Sequence, residues 1–492
     1  MELLILIIPL LWMFLFWGST RKWLLHMINS IGTLLLLILA LVITCKVNAS
    51  GHIGYPFLNH FFYLDALSVI VLDIIAIVSF MVSVFAIGYL NRELAHQVIN
   101  LRQIQLFYSL MYAFIFTMVL VVSTQNLGLM WIAIEATTLA SAFLVGFYNQ
   151  REAIEAAWKY VIICSVGIAL ALFGIVFLYI SAVNIFEGSK SNLNWLFLLQ
   201  NAKLLNSSIV KIAFIFIMVG FGTKVGLVPM HTWLPDAHSQ APAPISALLS
   251  GVLLNSALYG LIRVLAIVNK NLGSNLYTGR LLVTAGLLSI ATAAVFILTQ
   301  KDYKRMLAYS SIEHMGIITF GLGLATPIAL FAALFHMINH AFTKSLLFLA
   351  SGNVYLKYKT REIAGVSGLL KTLPITGTVF LLGLFAIAGM PPFSVFSSEL
   401  NLIIAAFSAN QIAGAILFIL LIASVCAGIA VVAMKMFFGE NRSPGMKPGE
   451  ENRLGLSVLI ILLLLITVSG MLIPDQLKQL LESASGIIKG VA

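Results

Sequence analysis

Long apolar runs recur along the whole chain, separated by short polar segments. A helix of about 20 apolar residues crosses the hydrocarbon core of a bilayer, and each run reaches roughly that length. The pattern predicts an all-α polytopic membrane protein with about fourteen transmembrane helices. The predicted spans are 2–18, 28–47, 63–90, 105–123, 126–148, 157–182, 209–238, 241–268, 278–299, 304–323, 326–356, 372–409, 411–438 and 454–474.

The seventh and twelfth spans are predicted to be discontinuous because each carries proline near its middle. Pro229 interrupts the seventh span, and Pro391 with Pro392 interrupts the twelfth. A proline inside a helix removes one backbone hydrogen bond and clashes with the preceding turn, at a cost of about 3 kcal/mol. In lipid the freed carbonyls need partners from protein or water. The two breaks therefore indicate a hydrated interior.

Two pairs of similar segments predict an internal repeat. "AAWKYVIICSVG" in the sixth span resembles "AFTKSLLFLASG" in the eleventh, and "VGLVPMHTWL" in the seventh resembles "IAGMPPFSVF" in the twelfth. The units have five spans each, so their topologies are opposite, and such inverted repeats with broken helices indicate an ion pathway near the middle of the membrane. The predicted divisions are N-terminal helices 1–3 (1–104), a first repeat (105–268), a second repeat (269–438), and helix 14 with a tail (439–492).

The charge distribution predicts an orientation. Only 9% of the residues are charged, far below the roughly 25% of soluble domains. The formal net charge is +10, which in a membrane protein reports topology and contact with anionic lipid rather than a nucleic acid partner. With the N-terminus outside, fifteen lysines and arginines, including Arg442, fall in inner loops and eight, including Lys190, in outer segments. Both termini are therefore predicted to lie outside.

Five ionisable residues fall within predicted apolar spans: Glu135, Lys159, Lys224, Lys344 and Glu399. Each would cost roughly 2.5–3.5 kcal/mol at the centre of a lipid-facing helix, and the five together on the order of 15 kcal/mol. We expect them to face inward, paired or hydrated. Buried pairs that pin helices together are the alternative for any one residue. Pairs that only hold helices together do not require lysines, histidines and carboxylates to lie between two helix breaks, whereas a proton path requires such a series.

The segment "HMINHAFTK" places His336, His340 and Lys344 at positions i, i+4 and i+8. This spacing lines one helix face at about 6 Å per step, a gap that one or two waters can bridge. His314 precedes this segment and extends the same set. Zinc binding is the competing interpretation of HxxxH, but no general-base glutamate lies between the histidines. No metal site is predicted.

Three further features have limited predictive value. The three cysteines form no CxxC pair and no four-cysteine set for an iron–sulfur cluster, so no cofactor is predicted in this chain. Asp65 is expected at the membrane interface. The pattern assigns no role to Asp73.

Four segments resemble a known family: "TKVGLVPMHTWLPDAHSQAPAPISALLSGVLL", "WKYVIICSVG", "YKRMLAYSSIEHMG" and "HAFTKSLLFLASG". They are similar to the antiporter-like membrane subunits of respiratory complex I, multisubunit Na⁺/H⁺ antiporters and group 4 [NiFe] hydrogenases. The resemblance covers roughly residues 60 to 440. It implies fourteen helices with two inverted five-helix repeats, in which a glutamate of helix five pairs with a lysine of helix seven. The matching positions are Glu135 and Lys224, the axis histidines His314, His336 and His340, and the terminal charge Glu399.

One position departs from the family pattern. The family commonly has a lysine on helix eight in the context "GVLLK", whereas this sequence reads "GVLLNSALYGLIR", with Asn255. Asparagine does not exchange a proton near neutral pH, although it can hold a water between Lys224 and the histidines. The asparagine, together with the lack of a long C-terminal lateral helix, is more similar to the component F type of hydrogenase-4 complexes than to complex I.

The sequence therefore predicts an ion-translocating, non-catalytic subunit of a redox complex in the cell inner membrane, of the group 4 hydrogenase or formate hydrogenlyase type. Expected partners are other membrane subunits, including further antiporter-like subunits, a peripheral [NiFe] hydrogenase or dehydrogenase module, and lipid. Alternatives are a complex I or multisubunit antiporter subunit, a stand-alone solute transporter and a structural anchor. The predicted proton path runs through Asp236, His238, Lys224, Asn255, His314, His336, His340 and Glu399, with Glu135, Lys159 and Lys344 beside it.

Overall fold

The computed structural model describes residues 3–54, 61–186, 189, 191–439 and 447–489. Lys190 and Arg442, two of the charges behind the predicted orientation, lie outside these ranges. One short antiparallel pair of strands, β1 (His52–Gly54) and β2 (Tyr63–Asp65), interrupts an otherwise helical chain. The helices are α1 (Leu4–Leu15), α2 (Lys22–Ser50), α3 (Ala66–Ala95), α4 (Leu101–Ser123), α5 (Leu127–Val145), α6 (Arg151–Val183), α7 (Trp195–Gln200), α8 (Ser207–Val225), α9 (Trp233–Gln240), α10 (Ala243–Leu248), α11 (Leu254–Leu272), α12 (Leu276–Thr299), α13 (Tyr303–Leu324), α14 (Pro327–Tyr358), α15 (Leu369–Thr372), α16 (Pro374–Ile387), α17 (Ser394–Ser408), α18 (Ile412–Phe437), α19 (Arg453–Met471) and α20 (Asp475–Ile488).

Ten helices within the described ranges are long and apolar enough to cross a membrane, counting α10 and α11 as one. Shorter apolar helices at Leu4–Gly18, Pro374–Ile387 and Ser394–Ser408 accompany them. Helices α13 and α14 are also long, but they carry the charged and histidine side chains of the predicted path. The predicted fold class, an all-α polytopic membrane protein, is confirmed. The helices are consistent with fourteen spans, and the division into repeats stays a prediction.

Two helix breaks lie where the prolines predict them. The first spans residues 226–232, between α8 and α9, and the second spans 388–393, between α16 and α17. Gly226 and Gly389 turn the chain out of the preceding helices with φ angles of 87° and 68°, which an L side chain rarely adopts. The prolines within these ranges are Pro229, Pro391 and Pro392. The side of the protein that holds the loops predicted to be cytoplasmic, including the start of α6 and of α13, is called the inner face below.

Two helix pairs, α6 with α8 and α12 with α13, pack with their backbones almost in contact. A Cβ atom at Gly220 would lie 2.5 Å from the backbone nitrogen of Ala171, and one at Gly286 would lie 2.7 Å from the carbonyl oxygen of Gly316. Small residues at helix crossings allow this approach. The close packing fixes α8 and α13, which carry Lys224 and His314.

Replacing Gly220 with alanine is expected to destabilise the α6–α8 pair by about 1–3 kcal/mol, because the added methyl group overlaps rigid backbone atoms. The apparent Tm of the detergent-solubilised protein, followed by tryptophan fluorescence, should fall. Gly486→Ala is the matched control, since a Cβ there meets nothing within 4 Å. Equal melting temperatures for both variants would contradict the packing argument.

The C-terminal tail contains a helix that hydropathy alone does not distinguish. Helix α20 buries one apolar side, including Leu481 and Ile488, and packs against α3 and α14. Only half of its surface is apolar, so no long apolar run marks it in the sequence. The hairpin β1–β2 and α7 escape prediction because they are too short to form an apolar run of membrane-spanning length.

Asp65 is the N-cap residue of α3, at the end of a membrane span, and its expected position at the membrane interface stays a prediction. Its carboxylate is buried and accepts hydrogen bonds from both terminal nitrogens of Arg263, at 2.7 and 2.5 Å. The guanidinium lies 4.0 Å from the ring centroid of Trp195 in α7. Asp73 also has a partner, because both of its carboxylate oxygens lie 2.9 Å from the hydroxyl of Thr44.

Candidate functional site

The first charged centre lies at the end of α8, directly before the first break. Lys224 is 0% exposed, and its ammonium donates hydrogen bonds to the hydroxyls of Thr138 at 2.8 Å and Tyr160 at 2.6 Å. The ammonium also lies 4.5 Å from the centroid of the Tyr160 ring, where a cation is attracted to the π face. These groups are neutral, so Lys224 can exchange its proton without breaking an ion pair.

Glu135 is connected to Lys224 through the hydroxyl of Thr138. Oε2 of Glu135 lies 3.3 Å from this hydroxyl, and Oε1 accepts a hydrogen bond from Ser165 at 2.6 Å. The carboxylate is half-buried, with the side chain of Leu139 exposed one turn away on the same surface of α5. The pairing that the family resemblance implies is thus indirect here, and Glu135 lies at the edge of the protein.

The first break is closed by an aromatic side chain. The indole nitrogen of Trp233, at the start of α9, donates to the carbonyl of Thr223 at 2.8 Å. This bond satisfies one of the carbonyls that the end of α8 leaves without a helical partner. The Trp233 ring also packs on Tyr160, with centroids 4.7 Å apart. The first break is therefore connected through Trp233 to Tyr160, whose hydroxyl binds the Lys224 ammonium.

Lys159 does not face inward as expected. Its side chain is 48% exposed, and its ammonium lies 2.7 Å from Glu155 and 3.3 Å from Asp236. It is near the inner end of α6, where a long side chain reaches charged partners at the membrane surface. Arg305 approaches the other oxygen of Asp236 at 2.9 Å. The Asp236 carboxylate is therefore held between two cations, Lys159 and Arg305.

The histidines form a more compact group than the helical spacing predicts. His314 of α13 lies against α14, and its Nδ1 is 2.8 Å from Nε2 of His336, so no water is needed between them. The rings of His314 and His340 have centroids 5.6 Å apart. Neither nitrogen of His340 has a hydrogen-bond partner among the described residues. Lys344 donates to the carbonyl of Leu307 at 2.8 Å and also contacts the hydroxyl of Ser310.

The histidine pair reaches the second break at both of its ends. Nε2 of His314 lies 3.2 Å from the carbonyl of Ile387, the last residue of α16, and Nδ1 of His336 lies 2.8 Å from the hydroxyl of Ser398 in α17. Glu399 follows directly and is 5% exposed. A Cβ at Gly389 would lie 2.1 Å from the Glu399 carboxylate, so only glycine fits there. The Glu399 carboxylate is therefore in direct contact with the second break.

His314 and His336, with the Ile387 carbonyl at one end and the Ser398 hydroxyl at the other, form a hydrogen-bonded row that is called the histidine file below. The groups at its two ends determine where its hydrogen atoms lie. The Ile387 carbonyl only accepts, so Nε2 of His314 must donate to it, and Nδ1 then accepts from Nε2 of His336. Two neutral rings satisfy this order only if the Ser398 hydroxyl donates to Nδ1 of His336. When one proton is added, Nδ1 of His336 donates to the oxygen of Ser398 instead. The Ser398 hydroxyl then turns to donate to the Val395 carbonyl, 2.8 Å away. The file thus accommodates zero or one extra proton by the rotation of one hydroxyl.

Glu313 belongs to this group and is not singled out in the sequence analysis. Its side chain is 1% exposed, and its Oε2 lies 3.8 Å from Nε2 of His314 with no hydrogen-bond partner within the described ranges. The motif "YSSIEHMG" contains it, and its place inside an apolar span is the signal that identifies it. Four ionisable groups therefore meet beside the second break: His314, His336, Glu313 and Glu399.

Asn255 lies near the start of α11, and in the predicted path it follows Lys224 and precedes the histidines. A π-helical segment, Leu249–Leu253, joins α10 to α11 just before it, an irregularity frequent at functional sites. Its amide nitrogen donates to the carbonyls of Gly251 at 2.9 Å and Met337 at 3.4 Å. Its buried Oδ1 has no partner in the described part of the chain and can accept a further hydrogen bond.

His314, His336 and Glu399 each offer one atom that can bind a metal, and these atoms lie within 4.8 Å of one another. The two imidazole nitrogens are 2.8 Å apart, whereas two histidines on one tetrahedral zinc hold their nitrogens about 3.3 Å apart. Both rings also have other partners. The geometry favours a shared proton over a metal ion.

Comparison with known proteins gives the same class. A family model described as "NADH:quinone oxidoreductase/Mrp antiporter, TM" matches residues 123–426, and one described as "NADH-Ubiquinone oxidoreductase (complex I), chain 5 N-terminus" matches 54–97. A hydrogenase-4 component F homolog of Methylacidiphilum infernorum is 38% identical over 87% of this chain and 89% of its own length. Hydrogenase-4 component B of Escherichia coli is 30% identical over 73% of this chain and 55% of its own length.

A solved structure of similar fold is a chain of the membrane-bound sulfane sulfur reductase, an archaeal respiratory membrane complex. It superimposes with a TM-score of 0.87 at 24% identity, covering 100% of this chain and 98% of that one. The helical fold and the file of buried charges between two broken helices define an antiporter-like membrane subunit. The chain belongs to the NADH:quinone oxidoreductase/Mrp antiporter family.

Proposed function

We propose that this chain is a proton-translocating subunit of a membrane-bound redox complex of the hydrogenase-4 type. The observation that carries the proposal is the buried set of exchangeable groups between two helix breaks. The finer assignment is supported by the relative named as a hydrogenase-4 component F homolog, with 38% identity over most of both chains. The chain has no redox role of its own in this proposal, and electron transfer belongs to partner subunits.

The proposed path has two halves. Lys224 holds a proton in the first half, and the histidines with Glu313 and Glu399 hold one in the second. Asn255 positions a water between them, because its Oδ1 has no protein partner in the described ranges. Glu399 lines a cleft between α17 and α18 and is the proposed point at which the proton leaves the second half. Moving one proton against 100 mV costs about 2.3 kcal/mol, which the redox partner must supply.

The surface of α5 and α6 is the proposed contact with a neighbouring membrane subunit. Glu135 is half-buried there, and Leu139 and Phe143 are 56% and 69% exposed. A charge change at Glu135 acts on Lys224 through Thr138, so the neighbour can influence proton binding in this chain. Both termini are proposed to lie on the outer side of the cell inner membrane. A peripheral hydrogenase or dehydrogenase module is proposed to bind at the inner face.

Glu399→Gln in the intact purified complex, reconstituted in liposomes, is expected to reduce redox-driven proton translocation about tenfold, since the variant lacks one positioned proton-exchange group. Translocation is measured with a pH-sensitive dye and redox turnover in parallel with a protonophore present. Glu155→Gln, an exposed carboxylate at the inner face, is the control. Equal translocation by both variants would contradict the assignment of Glu399.

Mass spectrometry of proteins that co-purify with the tagged chain tests the finer assignment. A nickel–iron large subunit together with further antiporter-like subunits is the expected result. An NADH-oxidising module would assign the chain to a complex I instead, and antiporter subunits without any redox protein would assign it to a multisubunit antiporter.

A further inference from the structure

A second group of titratable side chains lies at the inner face, outside the path described above. Glu93, near the inner end of α3, is 3% exposed. Its Oε1 accepts a hydrogen bond from the hydroxyl of Tyr148 at 2.5 Å, and that hydroxyl lies 2.9 Å from the hydroxyl of Tyr89. None of these residues belongs to the path predicted from the sequence.

The other oxygen of Glu93 is the informative one. Oε2 is buried and has no hydrogen-bond partner among the described residues. A carboxylate that only pinned α3 to the end of α5 would use both oxygens, because an unsatisfied buried oxygen is costly. Oε2 can therefore accept a proton or a further hydrogen bond.

A small cavity adjoins the two tyrosines. It has a volume of about 360 Å³, including its opening, and is lined by Tyr89, Tyr148 and Lys304 together with Arg361 and other residues. Lys304 is 5% exposed and donates to the carbonyl of Ala241 at 2.7 Å. This single bond leaves two of its three N–H groups without a protein acceptor in the described structure. The cavity opens to the surface and exposes polar groups of Tyr89, Tyr148, Lys304 and Arg361, so water can enter it.

The cavity is also adjacent to the buried path. Ala241, which binds Lys304, is three residues after His238, in the turn between α9 and α10. His238 is 0% exposed and lies within electrostatic range of both Lys304 and Lys344. The His340 ring in turn lies within range of His238 and 5.6 Å from His314. Lys304, His238 and His340 therefore lie between the cavity and the second half of the path, and the ring nitrogens of both histidines have no hydrogen-bond partner among the described residues.

Asp236 is poorly suited to the same task. It is held between Arg305 at 2.9 Å and Lys159 at 3.3 Å. Both carboxylate oxygens of Asp236 are therefore paired with a cation, whereas Oε2 of Glu93 has no partner among the described residues. Glu93 has no comparable ion pair within 4.0 Å among the described residues.

We infer that Glu93, Tyr148 and Lys304 form a separate proton inlet at the inner face, which supplies His238 and the second half of the path directly. The inference rests on the proposed translocation function and adds a point of uptake to it. Water in the cavity exchanges a proton with Glu93 through the hydroxyl of Tyr148, which lines the cavity and donates to Glu93, and Lys304 relays the proton towards His238. The path through Lys224 is then one of two uptake routes rather than the only one.

Glu93→Gln in the reconstituted complex tests the inlet, because glutamine keeps the acceptor for Tyr148 and cannot carry a proton. Translocation is expected to fall about fivefold to tenfold, while redox turnover with a protonophore stays within about twofold. Glu152→Gln is the matched control, an exposed carboxylate at the inner face. Glu93→Ala, which leaves room in the cavity, is expected to regain translocation when azide is added as a small proton carrier.

The outcomes separate this inference from the proposed function. Normal translocation by Glu93→Gln, with loss in Lys224→Ala, overturns the inlet and leaves the function intact. Normal translocation by both variants overturns the function itself. Loss that azide does not restore in Glu93→Ala indicates a structural role and also overturns the inlet. If Glu93→Gln does not assemble, Lys304→Met carries the test, with retained translocation again overturning the inlet.

Discussion

Replacing Lys224 with alanine is expected to reduce proton translocation by the reconstituted complex by about 10²-fold, the effect typical of losing a positioned proton-transfer group. The alanine variant removes the only ammonium that Thr138 and Tyr160 bind in the described structure. Redox turnover with a protonophore should persist, because the chemistry lies in other subunits. Translocation is measured by dye acidification in liposomes under a redox load.

Lys211→Ala is the control for this experiment. Lys211 lies on the same helix, α8, but it is exposed and contacts only the Tyr277 ring, at 5.7 Å, among the interactions described for its side chain. Tyr160→Phe removes one hydrogen bond of Lys224 while keeping the ring, and an intermediate decrease is expected. Translocation by Lys224→Ala at the rate of the Lys211→Ala control would exclude Lys224 from the path and leave a structural anchor as the better description.

Replacing Asp65 with alanine is expected to destabilise the chain by about 3–5 kcal/mol, because the Arg263 guanidinium is then buried without a counter-charge. Arg263 is 1% exposed, and Asp65 also accepts from the backbone nitrogen of Ser68 at the start of α3. The apparent Tm in detergent and the yield of assembled complex should both fall. This is the largest stability effect that we expect from a single site.

The double variant Asp65→Leu with Arg263→Leu provides the control. Removing both charges leaves no orphaned ion, so the double variant should be more stable than either single variant. A double variant that melts below both single variants would show that the pair itself, rather than the orphaned charge, determines the effect.

The sequence predicts the helix breaks and the buried Lys224 well, because prolines and charges stand out against apolar runs. It does not predict which side of a helix a charge faces. Lys159 lies within a predicted span, as Lys224 does, yet its ammonium reaches the surface, since three-dimensional packing decides the direction. Helix α20 is missed because a half-apolar surface helix has no long apolar run. Glu313 is missed because its neighbour His314 is the more conspicuous residue.

The histidine file also determines when a proton can leave. If His314 passes its Nε2 proton to Glu313, the bare nitrogen faces the Ile387 carbonyl at 3.2 Å, and two acceptors then oppose each other. An unmade buried hydrogen bond costs about 1–3 kcal/mol, so the emptied file draws a proton back unless Ile387 moves away. Ile387 is the last residue before the second break. In the proposed function the hinge therefore gates release: the broken helix has to shift before the proton departs, and this requirement would oppose a passive leak through the resting protein.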